Sequence, residues 1–418
     1  MLASFKAPGY KLFYINSTFA AVDMNVRMAV HGWLVLELSG DSAFWTGIYA
    51  LVLGSGQFLF SSLAGTLADR FQRRSLLLLE GVISTTMAAL MAVATYLDVI
   101  ELWMAIALAF IIGCLRATRF TGINRFIYDI VGPGKLVNGV SLWRVSNTPM
   151  MIGGALLAGL LIEWSGIWAA YALIAGSLAI SLPFLALVRV SGTVESSSGH
   201  ILRQTLEGLQ YAAANPALRI LFTVSIVMET LGFAFLVMVP IMAKNVLEVD
   251  AIGMGYLQAG IGTGLFVATI IMAAKGDSRN KPRIVFWNAL GAGVALTAFA
   301  FSRSLPLSIF LAGAVMAFLN AYDLTLGVLI QLVAPANMRG RAVSLHSLAI
   351  SFTAVGGAVM GVVGEKVGVP LMVASGGIGI VINVLLRRNA IMSIHEFDQQ
   401  DEQPVDTAES SRDNTPSS

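Results

Sequence analysis

Twelve apolar runs, each near the roughly twenty residues a helix needs to cross hydrocarbon, leave this chain few folds to adopt. They fall near residues 12–36, 44–66, 75–97, 102–122, 139–162, 167–188, 218–243, 252–274, 284–302, 306–331, 342–363 and 369–388. Inside a bilayer each backbone N–H and C=O must be satisfied within its own segment, so runs of this length read as helices. The expected fold class is therefore an all-α integral membrane protein. Composition agrees, with 56% hydrophobic and 12% charged residues, against about 25% charged in a soluble chain. The first run is too long for a cleavable signal peptide and lacks a small-residue cleavage site.

Several function classes drop out. The single cysteine, Cys114, excludes an intramolecular disulfide and a cysteine metal cluster. His31, His200, His346 and His395 are scattered and build no metal spacing. No Gly-Lys-Ser/Thr phosphate loop is present. No metal, no cofactor and no nucleic-acid partner is expected, and the chain does not read as an enzyme.

The basic residues set orientation. Arg70, Arg73, Arg74, Arg125, Lys135, Arg219, Lys281, Arg283, Arg339, Arg341, Arg387 and Arg388 belong to the large group on one face, whereas only Lys244, Arg303 and Lys366 fall on the other. The positive-inside rule then puts both termini in the cytoplasm of a multi-pass plasma-membrane protein, a bacterial inner membrane being the expected site. Trp33, Trp45, Trp103, Trp143, Trp164, Trp168 and Trp287 map near span ends, where indole favours the membrane interface.

The halves repeat. Asp41 to Phe58 matches Asp250 to Phe266 in its acid, glycines and final phenylalanine, and Val131 to Glu163 echoes Val333 to Glu365. The expected organisation is a six-helix bundle over 1–188, a linker over 189–217 and a second bundle over 218–392. Within the linker, Ile201–Ala214 is amphipathic and suits the inner membrane surface. An acidic, Ser-rich tail over 393–418 is expected to be disordered.

The polar stretch Gly65-Thr-Leu-Ala-Asp-Arg-Phe-Gln-Arg-Arg74 sits between the second and third runs. It resembles the signature loop of the major facilitator superfamily, and Asp277 to Arg283 is a worn copy of it. The resemblance implies twelve helices in two pseudo-symmetric six-helix bundles and a cytoplasmic gate. Gly65, Asp69, Arg70, Arg73 and Arg74, with Asp277, Lys281, Arg283, Arg339 and Arg341, would form that gate by binding the halves together when the outer side is open. Leu38-Ser-Gly-Asp-Ser42, Leu206-Glu-Gly-Leu-Gln-Tyr211 and Gly113–Val131 look like the branch of enterobactin exporters and macrolide-efflux transporters, the transmembrane secretion effectors. Export members carry a Gly-Pro-rich motif in the fifth span. Here the nearest stretch, Gly154-Ala-Leu-Leu-Ala-Gly159, lacks the proline, so export direction rests on branch resemblance.

Charges within the spans need a reason, since each costs roughly 2.5–3.5 kcal/mol at mid-bilayer on insertion scales. Asn16, Asp23, Arg27 and His31 form one stripe on the first span, either lining a wet cavity or holding an intrahelical Asp23–Arg27 pair. Glu229 lies mid-way along the seventh span with no basic residue within a turn, and is the first candidate to load and release a proton, with Asp23 and Asp323 as further candidates. Arg116 and Arg119 on the fourth span and Arg144 on the fifth either make a cationic wall for an anionic group or pair with acids such as Glu80 and Asp129. Asn320 and Asp323 share a face of the tenth span. The reading is a proton-coupled secondary transporter, an exporter working by alternating access, and monomeric. Its partners are protons, the lipid bilayer and a small amphipathic substrate, neutral or anionic, such as a drug or siderophore. A facilitator-type importer or uniporter, and a membrane sensor that moves nothing, stand as alternatives.

Overall fold

A computed structural model describes residues 3–189, 214–275, 280–334 and 338–396. All the regular structure among these residues is helical. We label the long helices α1 (Tyr10–Leu38), α2 (Ala43–Arg70), α3 (Arg73–Tyr96), α4 (Leu102–Val131), α5 (Leu136–Ser165) and α6 (Ile167–Leu187). They continue as α7 (Pro216–Val246), α8 (Ala251–Lys275), α9 (Lys281–Phe301), α10 (Leu305–Val333), α11 in two pieces (Arg339–Ile350 and Phe352–Val367) and α12 (Val369–Leu386). Eleven helices among the described residues are long and apolar enough to cross a membrane. The exception is α1, long enough at 29 residues but diluted by Asp23, Arg27 and His31. The amphipathic linker segment and residues 397–418 lie outside the described residues.

Local chemistry sets the ends. The Ser42 side chain accepts from Trp45 N at the start of α2, and Asn215 accepts from Ala217 and Leu218 N ahead of Pro216 on α7. Gly166 and Gly368 each join two helices at φ of 93° and 94°, a left-handed conformation that glycine adopts without steric cost. They occupy equivalent places, between α5 and α6 and between α11 and α12, so the internal repeat seen in the sequence extends to backbone geometry.

Two helices run further than the apolar runs suggested. α4 continues to Val131, carrying Asp129 into contact with Arg73 at 2.5 Å, and α2 continues to Arg70. The polar stretch at 65–74 is therefore two helix ends joined by a tight turn at Phe71 and Gln72.

α1 packs on α5 and α6, α2 on α4, and α3 on α4 and α6; in the second half α10 packs on α8 and α9, and α9 on α12. The halves meet through α2 against α11 and α5 against α8. Glycines let these backbones touch: a Cβ on Gly47 would stand 3.0 Å from Gly361 Cα, and one on Gly255 would stand 2.9 Å from Leu156 Cα. The outer rim is apolar, with Leu59, Leu90, Phe310 and Leu386 exposed, as a lipid-facing surface requires.

Candidate functional site

A cavity opens between α1, α2, α3, α4 and α5, with an empty volume of about 850 Å³, its open mouth included. Asp23, Arg27, Glu80, Ser84, Arg116 and Arg119 supply its charge and polarity, Trp143, Asn147 and Tyr49 line it as well, and Met24 and Met28 give an adaptable apolar side. A second space of about 1510 Å³ shares Met28, Tyr49, Leu53 and Arg116 with the first and reaches the other half at Glu229, Gln258, Asp323 and Thr353. The two are neighbouring parts of one cleft between the halves.

Most of the charges are committed to partners. Arg27 Nε donates to Asp23 Oδ1 at 2.5 Å and Arg27 Nη2 to Ser84 Oγ at 3.0 Å, so the α1 pair both lines the cavity and neutralises itself. Arg119 meets Glu80 of α3 at 3.4 Å. Arg116 makes no hydrogen bond or ion pair among the described residues, although it borders both parts of the cleft.

On the opposite wall Glu229 is 3% exposed and accepts from Thr353 Oγ1 at 2.5 Å. It sits on a stretch of α7, Met228–Phe233, that is wound as a π-helix, a wider turn that often marks a functional position. Asp323 of α10 contacts His346 Nε2 at 3.1 Å, and His346 Nδ1 lies 3.5 Å from Ser225 Oγ of α7. His346 and Thr353 are seven residues apart, a helical spacing that could have singled out this histidine in the sequence, although α11 is interrupted between them at Ser351.

Other candidates lie elsewhere. His31 is fully buried between Tyr171 Oη at 2.6 Å and Ala105 O at 3.0 Å and borders neither space, so its side chain is held inside the first half. Asn16 donates to Ser181 O at 3.0 Å beside a small side pocket. Asn320 donates to Leu265 O at 3.1 Å and Thr269 Oγ1 at 3.0 Å, fastening α10 to α8 and not facing the cleft. Arg144 is exposed, lines neither space and pairs with no acid among the described residues. Trp33 is buried, with Lys244 Nζ 5.5 Å from its ring centroid, and Trp143 lines the cavity, so these two indoles are not interface anchors.

Of the residues expected at the gate, Arg73 pairs with Asp129 and Arg74 donates to Ala186 O, both within the first half. Arg283 is exposed and Lys281 opens α9. Gly65, Asp69 and Arg70 lie in the last turns of α2 and Arg339 and Arg341 in the first turn of α11, their side chains outside what is described, as is Asp277 altogether. A different latch closes the cleft at the end away from the termini. Lys244 Nζ meets Asp41 Oδ1 at 2.6 Å, and Asn245 donates to Asp41 O. Glu365 of α11 accepts from Ser42 Oγ at 3.3 Å and Phe44 N at 3.1 Å, its carboxylate placed at the positive end of α2. The acids at 41 and 365 belong to the repeated stretches, but repetition alone does not reveal a partner on the other half.

The sequence profile of the family described as transmembrane secretion effector matches residues 1–414. The chain is 23% identical over 403 residues to the enterobactin exporter EntS of Shigella flexneri, covering 94% of each protein, and 22% identical to that of Escherichia coli O1:K1 over the same span. Among solved structures it resembles the nucleoside transporter NupG, with a TM-score of 0.69 at 16% identity over 92% of this chain and 99% of that one. A bacterial homologue of the human lysosomal transporter Spinster, in an inward-facing conformation, gives 0.65 at 15% over 94% and 97%. With the profile spanning almost its full length and major facilitator transporters as its structural neighbours, the chain belongs to the transmembrane secretion effector family of the major facilitator superfamily, whose members are transporters and not enzymes.

Proposed function

We propose that the protein is a proton-coupled secondary active transporter that exports a small amphipathic molecule by alternating access. Two six-helix bundles, 1–188 and 218–392, joined by the 189–217 linker, rock about the cleft, and both termini are cytoplasmic. The observation that carries this reading is Glu229: a buried carboxyl on the cleft wall with Thr353 as its hydrogen-bond partner and no ion-pair partner among the described residues. A carboxyl so placed exchanges a proton without first breaking an ion pair, whereas Asp23 is tied to Arg27. Asp323, beside His346, is the second candidate on that wall. The likeness to enterobactin exporters at 22–23% identity supports the direction of export.

A proton moving down ~150 mV yields about 3.5 kcal/mol, which supports a substrate gradient of roughly 300-fold at one proton per substrate. In inverted vesicles, collapsing the proton gradient should stop accumulation of substrate. Glu229→Gln should lower gradient-driven accumulation by about a hundredfold while leaving substrate exchange at equilibrium within a few-fold of wild type. Accumulation that survives both treatments would refute coupling through this residue.

A further inference from the structure

The cleft contains more positive charge on its first wall than that wall itself neutralises. Around the smaller cavity Asp23 answers Arg27 and Glu80 answers Arg119, each within ion-pair distance. Arg116 is left over, one guanidinium with no hydrogen-bond or ion-pair partner among the described residues, at the point where the two parts of the cleft join. A guanidinium presents a planar fork of donors that matches a carboxylate or a similar oxyanion, and such a pair gains strength as water is excluded.

We infer that Arg116 seats a single negative charge of the substrate, which makes the transported class flat, amphipathic monoanions such as aryl carboxylates. The neighbours define the remainder of that class. Trp143 and Tyr49 offer ring faces and edges, and Met24, Met28 and Leu53 an apolar bed that reshapes around varied bodies. A second negative charge is disfavoured. Arg27 and Arg119 are the other cations on the first wall, and Asp23 and Glu80 already engage them. Across the cleft a second anion meets Glu229 and Asp323. Arg119 does not substitute for Arg116, because drawing it to a substrate strands Glu80, which is 5% exposed. The inference deepens the transport reading by naming the cargo at the same cleft.

Equilibrium dialysis of the purified full-length protein in detergent tests it, using labelled 1-naphthoate, its neutral amide 1-naphthamide, and naphthalene-1,4-dicarboxylate. Wild type should bind naphthoate at least tenfold tighter than naphthamide, and the dicarboxylate no tighter than naphthoate. Arg116→Lys should keep most of the preference, and Arg116→Gln should bring the ratio close to one. Equal binding of acid and amide by wild type, a preference that survives Arg116→Gln, tighter binding of the dianion, or binding of none of the three would each overturn the assignment. The dianion comparison needs only wild type, so it stands even if Arg116→Gln does not fold. No proton gradient enters this measurement; a failure of proton coupling shows in vesicles and leaves the binding ratios untouched.

Discussion

Arg119 and Glu80 meet at 3.4 Å with Glu80 almost wholly buried, and that pairing separates two arginines that the sequence presents as equals. Removing one member of a buried pair leaves the other charge unanswered, which costs about 3 kcal/mol. Arg119→Gln should therefore lower thermal stability in detergent, and Arg119→Gln with Glu80→Gln should recover most of the loss; recovery absent from the double variant would mean the pair contributes little. The i, i+4 spacing of Asp23 and Arg27 made their ion pair legible in the chain, and the lone position of Glu229 on its helix was legible too. Which arginine stays unpaired was not, because it depends on how the turns of α3 align beside those of α4. His31 shows the same limit: its helical stripe was visible, but Tyr171 and Ala105, which satisfy both ring nitrogens, come from helices distant in sequence. His31→Ala strands the Ala105 carbonyl and the Tyr171 hydroxyl, and should cost about 2 kcal/mol of stability. Charge selectivity at Arg116 should be unchanged by it, as dialysis would record.

At the level of elements, α2 and α11 form one of the two seams between the halves. Apolar run length and the repeat predicted helices at nearly the right places, since hydrophobic thickness fixes how long a span must be. Run length understates helices whose ends project beyond hydrocarbon, which is why α4 and α2 outran their expected limits. The seam itself is held by Glu365 at the start of α2 and by Asp41 on Lys244. Each is a modest interaction at an exposed rim, so loosening both should shift a balance without unfolding the protein. Lys244→Met with Glu365→Gln, in a Cys114→Ser background carrying Ala43→Cys, should react several-fold faster with an impermeant maleimide added outside cells. Ala43 is only 3% exposed behind this latch, so an unchanged rate would show that packing alone closes that end. Gly47 gives the converse case. A Cβ there stands 3.0 Å from both Gly357 O and Gly361 Cα, so Gly47→Val should prop the seam apart.

In the whole molecule the two walls of the cleft differ in kind, cationic and aromatic on one side, acidic and hydroxyl-bearing on the other. The duplication is plain in sequence and again in Gly166 and Gly368, yet the chemistry is not duplicated, because a repeated backbone plan leaves the side chains free to differ. Helix regularity differs as well. In the second half α7 is wound as a π-helix at Met228–Phe233 and again at Met242–Val246, and α11 is broken at Ser351, between His346 on one piece and Thr353 on the other. Their counterparts α1 and α5 run unbroken from end to end, with Pro149 accommodated inside α5. Irregular turns are where a helix bends at least cost. The repeated plan thus joins one half of regular helices to one of irregular helices, and the irregular half carries Glu229 and Asp323. Amide hydrogen exchange should be faster at 228–233 and 350–352 than at 26–31 and 148–150, with the proton load altering only the former pair.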